Sequence, residues 1–487
     1  MRVITIGINH AGTTFVRTLS HLAKTNNQSI EIIGYDSNDN ISFLGCGIAL
    51  WVGNEIQKPD GLFYATPELL EKENIKVNMQ HQLLSIDANK KTVEIKDLKT
   101  GKIFIDKYDK LVLGIGSWPL FFPVSGLKDD AGNLSKRVHI VKTFQHAKEL
   151  KSVVVDDNIK NIAVVGAGYI GIELVEAFSK ANKKVTLIDV QDRIMPLYYD
   201  REFTSDVEVL MKEAGVDVQV GQSVKEFKKN DKGEVVKVIT INKDKNIEKE
   251  YDVDLVLWAA GFSPQTEMLK GILKLGHKGS IKTNEYFQTS NPDIYAIGDC
   301  VEVQNNALHE KANIALATTA VRTGIVTAYS IMHEINDNFK KQVNTIKSLG
   351  FQGANAISVF GQKMASVGLS ETAAKLMKKD IEVVFLEDND RLEFLDTYKK
   401  VKIKIVWDKV TRKILGAQIS SQANHTEVIY MFSLAILKGL TIDELPLVDI
   451  FFLPHFNKPY NFVTLAGLKA LGLSYFQKTA NNKDKEE

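Results

Sequence analysis

Apolar positions in this chain cluster into short, nearly unbroken runs separated by helical periods, the pattern of parallel strands buried on both faces between helices. Two stretches carry it most clearly. Residues 2–6 and 30–35 read as strands around a helix, and residues 161–165, a helix over 172–181, and residues 184–188 repeat the plan. Residues 75–106 alternate as short strands broken at Asn89-Lys90-Lys91 and Lys99-Thr100-Gly101. Buried strands are predicted at 111–117 and 254–258, and helices at 143–153, 200–214 and 314–333. Residues 41–44 read as an apolar, strand-like entry, after which 47–52 can open a helix. From about residue 345 the texture changes to alternating strands (354–360, 365–369, 381–386, 400–407, 414–420) followed by helices at 426–438 and 458–471. The polar tail 481–487 is expected to be disordered.

The fold class that follows is α/β: two dinucleotide-binding, Rossmann-like domains plus a C-terminal α+β domain. A length of 487 residues suits about three domains. A net charge of +1 gives no reason to expect nucleic acid or an acidic membrane surface as partner. No apolar run reaches the ~18 residues of a membrane span, and the opening Met1 to Gly7 is too short for a signal peptide. Two cysteines, Cys46 and Cys300, give no disulfide framework, so a reducing, cytoplasmic setting is expected. The histidines lack ligand spacing, and no metal is expected.

The candidate chemistry begins at the two turns. Gly166-Ala167-Gly168-Tyr169-Ile170-Gly171 follows a strand and opens a helix, and the next strand ends in Asp189. Strand, three glycines, helix and an acid about 20 residues on make a dinucleotide site, with the pyrophosphate at the helix N-terminus. Asp189 suits a ribose 2′-hydroxyl and repels a 2′-phosphate. Val190-Gln191-Asp192 offers no cation, and Arg193 is expected to point elsewhere, so NADH is preferred to NADPH. Gly7-Ile8-Asn9-His10-Ala11-Gly12 is the same turn with asparagine in the middle position, and Asp36 is its acid. Asn9 is expected to tolerate the unusual backbone angles such a turn can need. Further small-residue strand ends occur at Gly114-Ile115-Gly116-Ser117 and at Ala259-Ala260-Gly261. The short strand ending in Gly298-Asp299 can return to the first site and direct Asp299 at a ribityl hydroxyl or phosphate-bound water. Cys46, between Gly45 and Gly47 at a helix start, is uncrowded and placed where unpaired N–H groups favour a thiolate.

Taken together these motifs resemble the pyridine nucleotide–disulfide oxidoreductases, specifically the NADH oxidase and NADH peroxidase branch. The resemblance rests on Gly7-x-x-His10-Ala11-Gly12, Ser42-Phe43-Leu44-x-Cys46-Gly47, Gly166 to Gly171, Gly298-Asp299 and the late stretch Pro454 to Asn461. It implies FAD and NADH as cofactors. It implies an FAD-binding domain over 1–155 and 285–340, an NAD-binding domain over 156–284, and a dimerisation domain over 341–475 before a tail at 476–487. The cofactor-binding residues it implies include Gly7, Asn9, Ala11, Gly12, Asp36, Ser42, Ser117, Gly166, Gly168, Tyr169, Ile170, Gly171, Asp189, Gly261, Gly298 and Asp299. A homodimer or a dimer of dimers would follow, with the Phe451 to Pro454 stretch at the two-fold interface.

Relatives that reduce disulfides carry a second cysteine five residues after the first. Here that residue is Trp51, so Cys46 has no local partner. In the single-cysteine branch the thiol cycles with a sulfenic acid. The resemblance makes Cys46 and His10 catalytic, His10 stabilising a developing anion or delivering a proton. The expected activity is reduction of O₂ to water by NADH. Gly45, Gly114-Ile115-Gly116 and His455 depart from the family pattern. An NADH peroxidase acting on H₂O₂ shares nearly every motif. A coenzyme A-disulfide reductase usually has Pro and Tyr in the stretch following the cysteine. A flavin-bearing redox sensor is the alternative outside enzymes.

Overall fold

The computed structural model describes residues 1–242, 244–343 and 346–473 of the chain. The tail expected at 476–487 lies outside the described residues. The chain divides into two compact units. The first comprises Met1–Asp192, Ala214–Gln304 and Lys311–Gly350, and the second comprises Arg193–Glu213, Asn305–Glu310 and the chain from Phe351 onward.

Two five-stranded parallel sheets dominate the first unit. One runs Ile294–Ala296, Lys110–Leu113, Arg2–Ile6, Glu31–Asp36, Ile75–Met79. Its central register pairs Val3 with Ile32 and Ile4 with Leu111, and all four residues are buried. The helices His10–Thr25 and Ala317–Ile335 bring Phe15, Leu19, Ala328 and Ile331 into that core. The other sheet runs Asp217–Val220, Lys184–Asp189, Asn161–Val165, Leu255–Trp258, Val138–Ile140. Its edge strand Val138–Ile140 comes from before residue 155 and pairs with Leu255–Trp258. Each parallel sheet is accompanied by a three-stranded antiparallel meander, His81–Asp87, Thr92–Asp97, Ile103–Lys107 in one case and Ser223–Lys229, Val235–Asn242, Ile247–Asp252 in the other.

The second unit is built on an antiparallel sheet ordered Asn355–Val359, Gln362–Gly368, Ile414–Ser421, Lys400–Asp408, Ile381–Asn389. Val401, Ile403, Ala417 and Ile419 face Phe432 and Phe462 from the helices Ile429–Lys438 and Phe462–Ala470. The helix Arg201–Glu213 belongs to this unit. The buried ammonium of Lys404 is ringed by Asp200 (3.3 Å), Glu202 (2.8 Å) and Glu371. Those acids hold Lys404 above the ordinary lysine value against the opposing effect of burial, which is the largest single influence.

Several local expectations differ from what forms. Residues 41–44 do not make a strand: Phe43 forms one isolated bridge to Phe63, and Ser42 has a φ of 56° that breaks extension. The helix that follows strand Asn161–Val165 starts at Tyr169, three residues early, because Gly168 already serves as its N-cap. The last helix starts at Phe462, since Asn461 caps it by accepting from Val463 N and Thr464 N, and Pro459 disfavours helix just before it.

Candidate active site

The two glycine turns are built alike. Gly7 N donates to Tyr35 O and Gly166 N to Ile188 O, each at 2.8 Å. Gly7 and Gly166 have φ of 89° and 112°, angles that favour glycine. A Cβ on Gly12 would stand 1.9 Å from Gly7 O, and one on Gly171 would stand 1.9 Å from Gly166 O. The helix therefore lies against its own turn with no room for a side chain. Asp36 accepts from Ile8 N (2.7 Å) and Asn38 N (2.9 Å), and Asp189 accepts from Ala167 N (2.6 Å) and Gln191 N (2.7 Å). Burial raises both carboxyls and these N–H groups oppose it.

The middle position corrects one expectation. Asn9 has φ −96° and Gly168 φ −77°, so neither turn needs an unusual angle there. Nothing lies within 4 Å of a Cβ placed on Gly168, so the backbone there is open on that side. Neither helix has a side-chain cap bond or an acid in its first turn. No carboxylate of the helix itself therefore competes at either N-terminus, which fits a diphosphate at each turn. Tyr169 and Ile170 form the first turn of the second helix, as His10 and Ala11 do in the first.

Ser117, Gly261, Gly298 and Asp299 converge. Strand Ser117–Pro119 pairs with Phe262–Pro264, which sets Gly261 beside it, and Leu120 N donates to Gly261 O at 2.9 Å. Ser117 Oγ donates to Asp299 Oδ2 at 3.0 Å. Gly298 N donates to Thr323 Oγ1 (3.0 Å), and a Cβ on Gly298 would stand 3.1 Å from Ala11 Cβ, which ties this turn to the first helix. Lys142 completes the group: its Nζ lies 3.2 Å from Ser117 Oγ, 3.7 Å from Asp299 Oδ2 and 4.9 Å from the ring centre of Phe262.

Cys46 and His10 share this neighbourhood. Asp299 and Lys142 act electrostatically on both, and Glu173 acts on Cys46. Cys46 is open to solvent and lies in the one-turn 3₁₀ segment Gly45–Gly47 ahead of the five-residue helix Ile48–Val52. So short a helix has little dipole, and the thiol is not pre-activated by it as expected. Although the residue is exposed, partial loss of water around the thiol, then Glu173 and Asp299, push its pKa above the ordinary value, and Lys142 opposes them. Burial holds His10 below its ordinary value, which favours the neutral imidazole; Asp299 and Lys142 pull in opposite directions. Glu173 itself is pushed up to about 7, chiefly by burial and secondarily by Glu176.

The residue at the usual resolving position, Trp51, is buried and stacks on Phe144 at 5.4 Å. Cys300 is fully buried with its Sγ at 3.2 Å from Ile297 O, and burial raises it to about 12. Ser42 is fully buried, its Oγ donating to Ala65 O (2.7 Å) and accepting from Ala65 N (2.9 Å). Arg193 directs its guanidinium at Tyr199 O, Pro196 O and Thr372 Oγ1. No group of His, Cys, Asp and Glu among the described residues is placed to hold a metal ion. Tyr64, Lys142 and Glu173 are functional candidates that sequence reasoning missed. Only Glu173 carried a signal, as an acid inside the apolar run Ile172-Glu173-Leu174-Val175.

Residues 1–324 match the pyridine nucleotide-disulphide oxidoreductase family and residues 355–461 match its dimerisation domain. The chain belongs to that family: it is an FAD-dependent oxidoreductase that uses a pyridine nucleotide. Among its relatives is an NADH oxidase of Streptococcus pyogenes serotype M6, 43% identical over 96% of this chain and 99% of that protein. An NADH oxidase of Mycoplasma pneumoniae is 41% identical over 99% of this chain and all of its own length. The water-forming NADH oxidase from Lactobacillus brevis, solved bound to NADH, superposes with a TM-score of 0.87 at 35% identity, covering 97% of this chain and 98% of the other. No helix among the described residues is long and apolar enough to cross a membrane.

Proposed function

We propose that this chain is a cytoplasmic NADH oxidase that reduces O₂ to water through one redox-active cysteine. The observation that carries the reading is the convergence of Cys46 and His10 on the same charged pair, Asp299 and Lys142, with Trp51 standing where a resolving cysteine would be. The similarity to NADH oxidases along nearly the whole chain supports it.

In this reading the turn at Gly7, Asn9, Ala11 and Gly12, with Asp36, Ser117, Gly298 and Asp299, holds FAD. The turn at Gly166, Gly168, Tyr169, Ile170 and Gly171, with Asp189, holds NADH, and Gly261 lies on the path between them. FAD, when bound, takes hydride from NADH and passes the electron pair to oxygen. The chain's own part follows at Cys46. The Cys46 thiol gives up its proton as its sulfur attacks a peroxide oxygen, the O–O bond breaks, the departing oxygen takes up that proton and leaves as water, and sulfur retains the other oxygen as a sulfenic acid. His10, neutral, donates a hydrogen bond to the departing oxygen. A second NADH-derived pair returns the sulfenic acid to thiol with loss of water, so two NADH and two protons are consumed per O₂. The FAD-binding domain spans 1–155 and 285–340, the NAD-binding domain 156–284 and the dimerisation domain 341–475, and two copies assemble.

The test is stoichiometry. Wild-type enzyme should consume about two NADH per O₂, and Cys46→Ser, keeping FAD and hydride transfer, about one NADH per O₂ with H₂O₂ released. Water formation at the wild-type ratio by Cys46→Ser would remove the thiol from the mechanism. Loss of turnover with H₂O₂ as the preferred acceptor would assign a peroxidase instead.

A further inference from the structure

Tyr64 has no part in the chemistry above, yet its hydroxyl lies 3.1 Å from His10 Nδ1, with the two rings within 6° of parallel and their centres 5.8 Å apart. Its backbone is anchored from both sides to the stretch that leads to Cys46. Phe63 bridges Phe43, Leu44 N donates to Leu62 O at 2.8 Å, and Ala65 is held twice by the hydroxyl of Ser42. The fully buried Ser42 thus acts as a clamp. One device sets both the entry to the thiol and the phenol that meets the imidazole.

The direction of the hydrogen bond follows from donor and acceptor strength. A phenol O–H is a better donor than the N–H of a neutral imidazole, and an imidazole nitrogen is a better acceptor than a phenol oxygen. Of the phenol's other polar neighbours, Arg17 carries no acceptor, and Thr13 offers only a hydroxyl oxygen and commits its own proton to Ile8 O at 2.9 Å. We propose that Tyr64 is a positioning residue whose O–H donates to His10 Nδ1, fixing the imidazole in the tautomer with its proton on Nε2, the donor left to face the departing oxygen of the peroxide that Cys46 attacks. Tyr64 is 38% exposed, and partial loss of water around the pair favours the neutral state of both partners, pushing Tyr64 up to about 12 and His10 down. The inference rests on the place of His10 in the reaction proposed above.

The experiment reads the tautomer directly. FAD-loaded enzyme labelled with [¹⁵N]histidine is sedimented for magic-angle-spinning NMR, and His10 is assigned by difference from His10→Gln. The wild type should show His10 protonated at Nε2, with Nδ1 an unprotonated, hydrogen-bonded nitrogen. Tyr64→Phe keeps the ring and removes only the donor, so it should yield a mixture of tautomers and a drop in H₂O₂ consumption on the order of tenfold. The same variant should still bind FAD and accept hydride from NADH at the wild-type rate. A wild-type His10 protonated at Nδ1, or a Tyr64→Phe tautomer identical to wild type, overturns the inference. Wild-type H₂O₂ consumption by His10→Gln overturns instead the role of His10 in the proposed reaction, and the NMR result stands apart from it.

Discussion

The two nucleotide turns differ in one way that matters. Their backbones coincide down to the hydrogen bonds of the first glycine and of the terminal acid. The residues immediately before the helices, Asn9 and Gly168, both have ordinary negative φ, −96° and −77°. What differs is the side chain that opens the helix: His10 in one, Tyr169 in the other. The cradle is generic, and chemistry is added by whichever residue stands at its lip. The second helix reaches toward the same chemistry from another position, through Glu173.

The largest effect should come from filling the space between helix and turn. Gly12→Val and Gly171→Val both drive a side chain into a carbonyl oxygen that a Cβ would meet at 1.9 Å. Gly12→Val is expected to purify colourless, while Gly171→Val should keep FAD absorbance and lose NADH turnover by roughly 100-fold or more, as a displaced helix start no longer presents its N–H groups. Loss of the same ligand from both variants, measured by absorbance and steady-state rate, would break the assignment of one turn to each nucleotide.

The acids sharpen the comparison further. Asp189→Ala should lower the preference for NADH over NADPH by roughly tenfold, the worth of one hydrogen bond to a charged group. Asp36→Ala should leave that ratio unchanged and show its effect in FAD retention. Ratios of kcat/KM for the two nucleotides decide it.

The smallest effect concerns Glu173, whose carboxyl is raised from 4.5 to about 7. Below pH 4.5 both folded and unfolded chains carry it protonated and it has no influence on stability. As pH rises toward 7 the unfolded chain ionises first, so the native state loses stability across that window, by about 3 kcal/mol at most. Glu173→Gln should therefore gain in urea midpoint over the wild type as pH rises from 5 to 8, and the Cys46 thiol should alkylate at lower pH in that variant. A midpoint difference that shrinks with rising pH would contradict the assignment.

What could be read from residue order was what repeats at fixed spacing. The glycines at 7 and 12 and at 166 and 171, the acids at 36 and 189, and the α/β plan all lie within one strand–helix–strand unit each, where local geometry leaves little choice. Tyr64, Lys142 and Glu173 come from three distant stretches, and each reaches its own partner only when the chain is folded, so no spacing announces them. Lys142 is one of 61 lysines and arginines and precedes an ordinary helix cap at Thr143. The thiol illustrates the opposite error. A cysteine between glycines at a helix start reads as activated, but the helix proves five residues long and two carboxylates stand near it. Ser42 was legible as a motif, although its hydroxyl turned out to be engaged with Ala65.

The edge strand Val138–Ile140 carries a consequence for how the molecule comes apart. It is contributed from outside the span 156–284, and it supplies the hydrogen-bonding partner for Val256, Leu257 and Trp258, while Trp258 Nε1 also donates to Leu120 O at 2.8 Å. Cut free at those limits, the second nucleotide-binding fold would expose a raw apolar strand edge, an invitation to aggregate. In the intact chain the two folds are laced together like a seam sewn from both sides. Native-state hydrogen exchange should then find the amides of Leu255–Trp258 opening together with those of the first sheet, as one cooperative foldon rather than two.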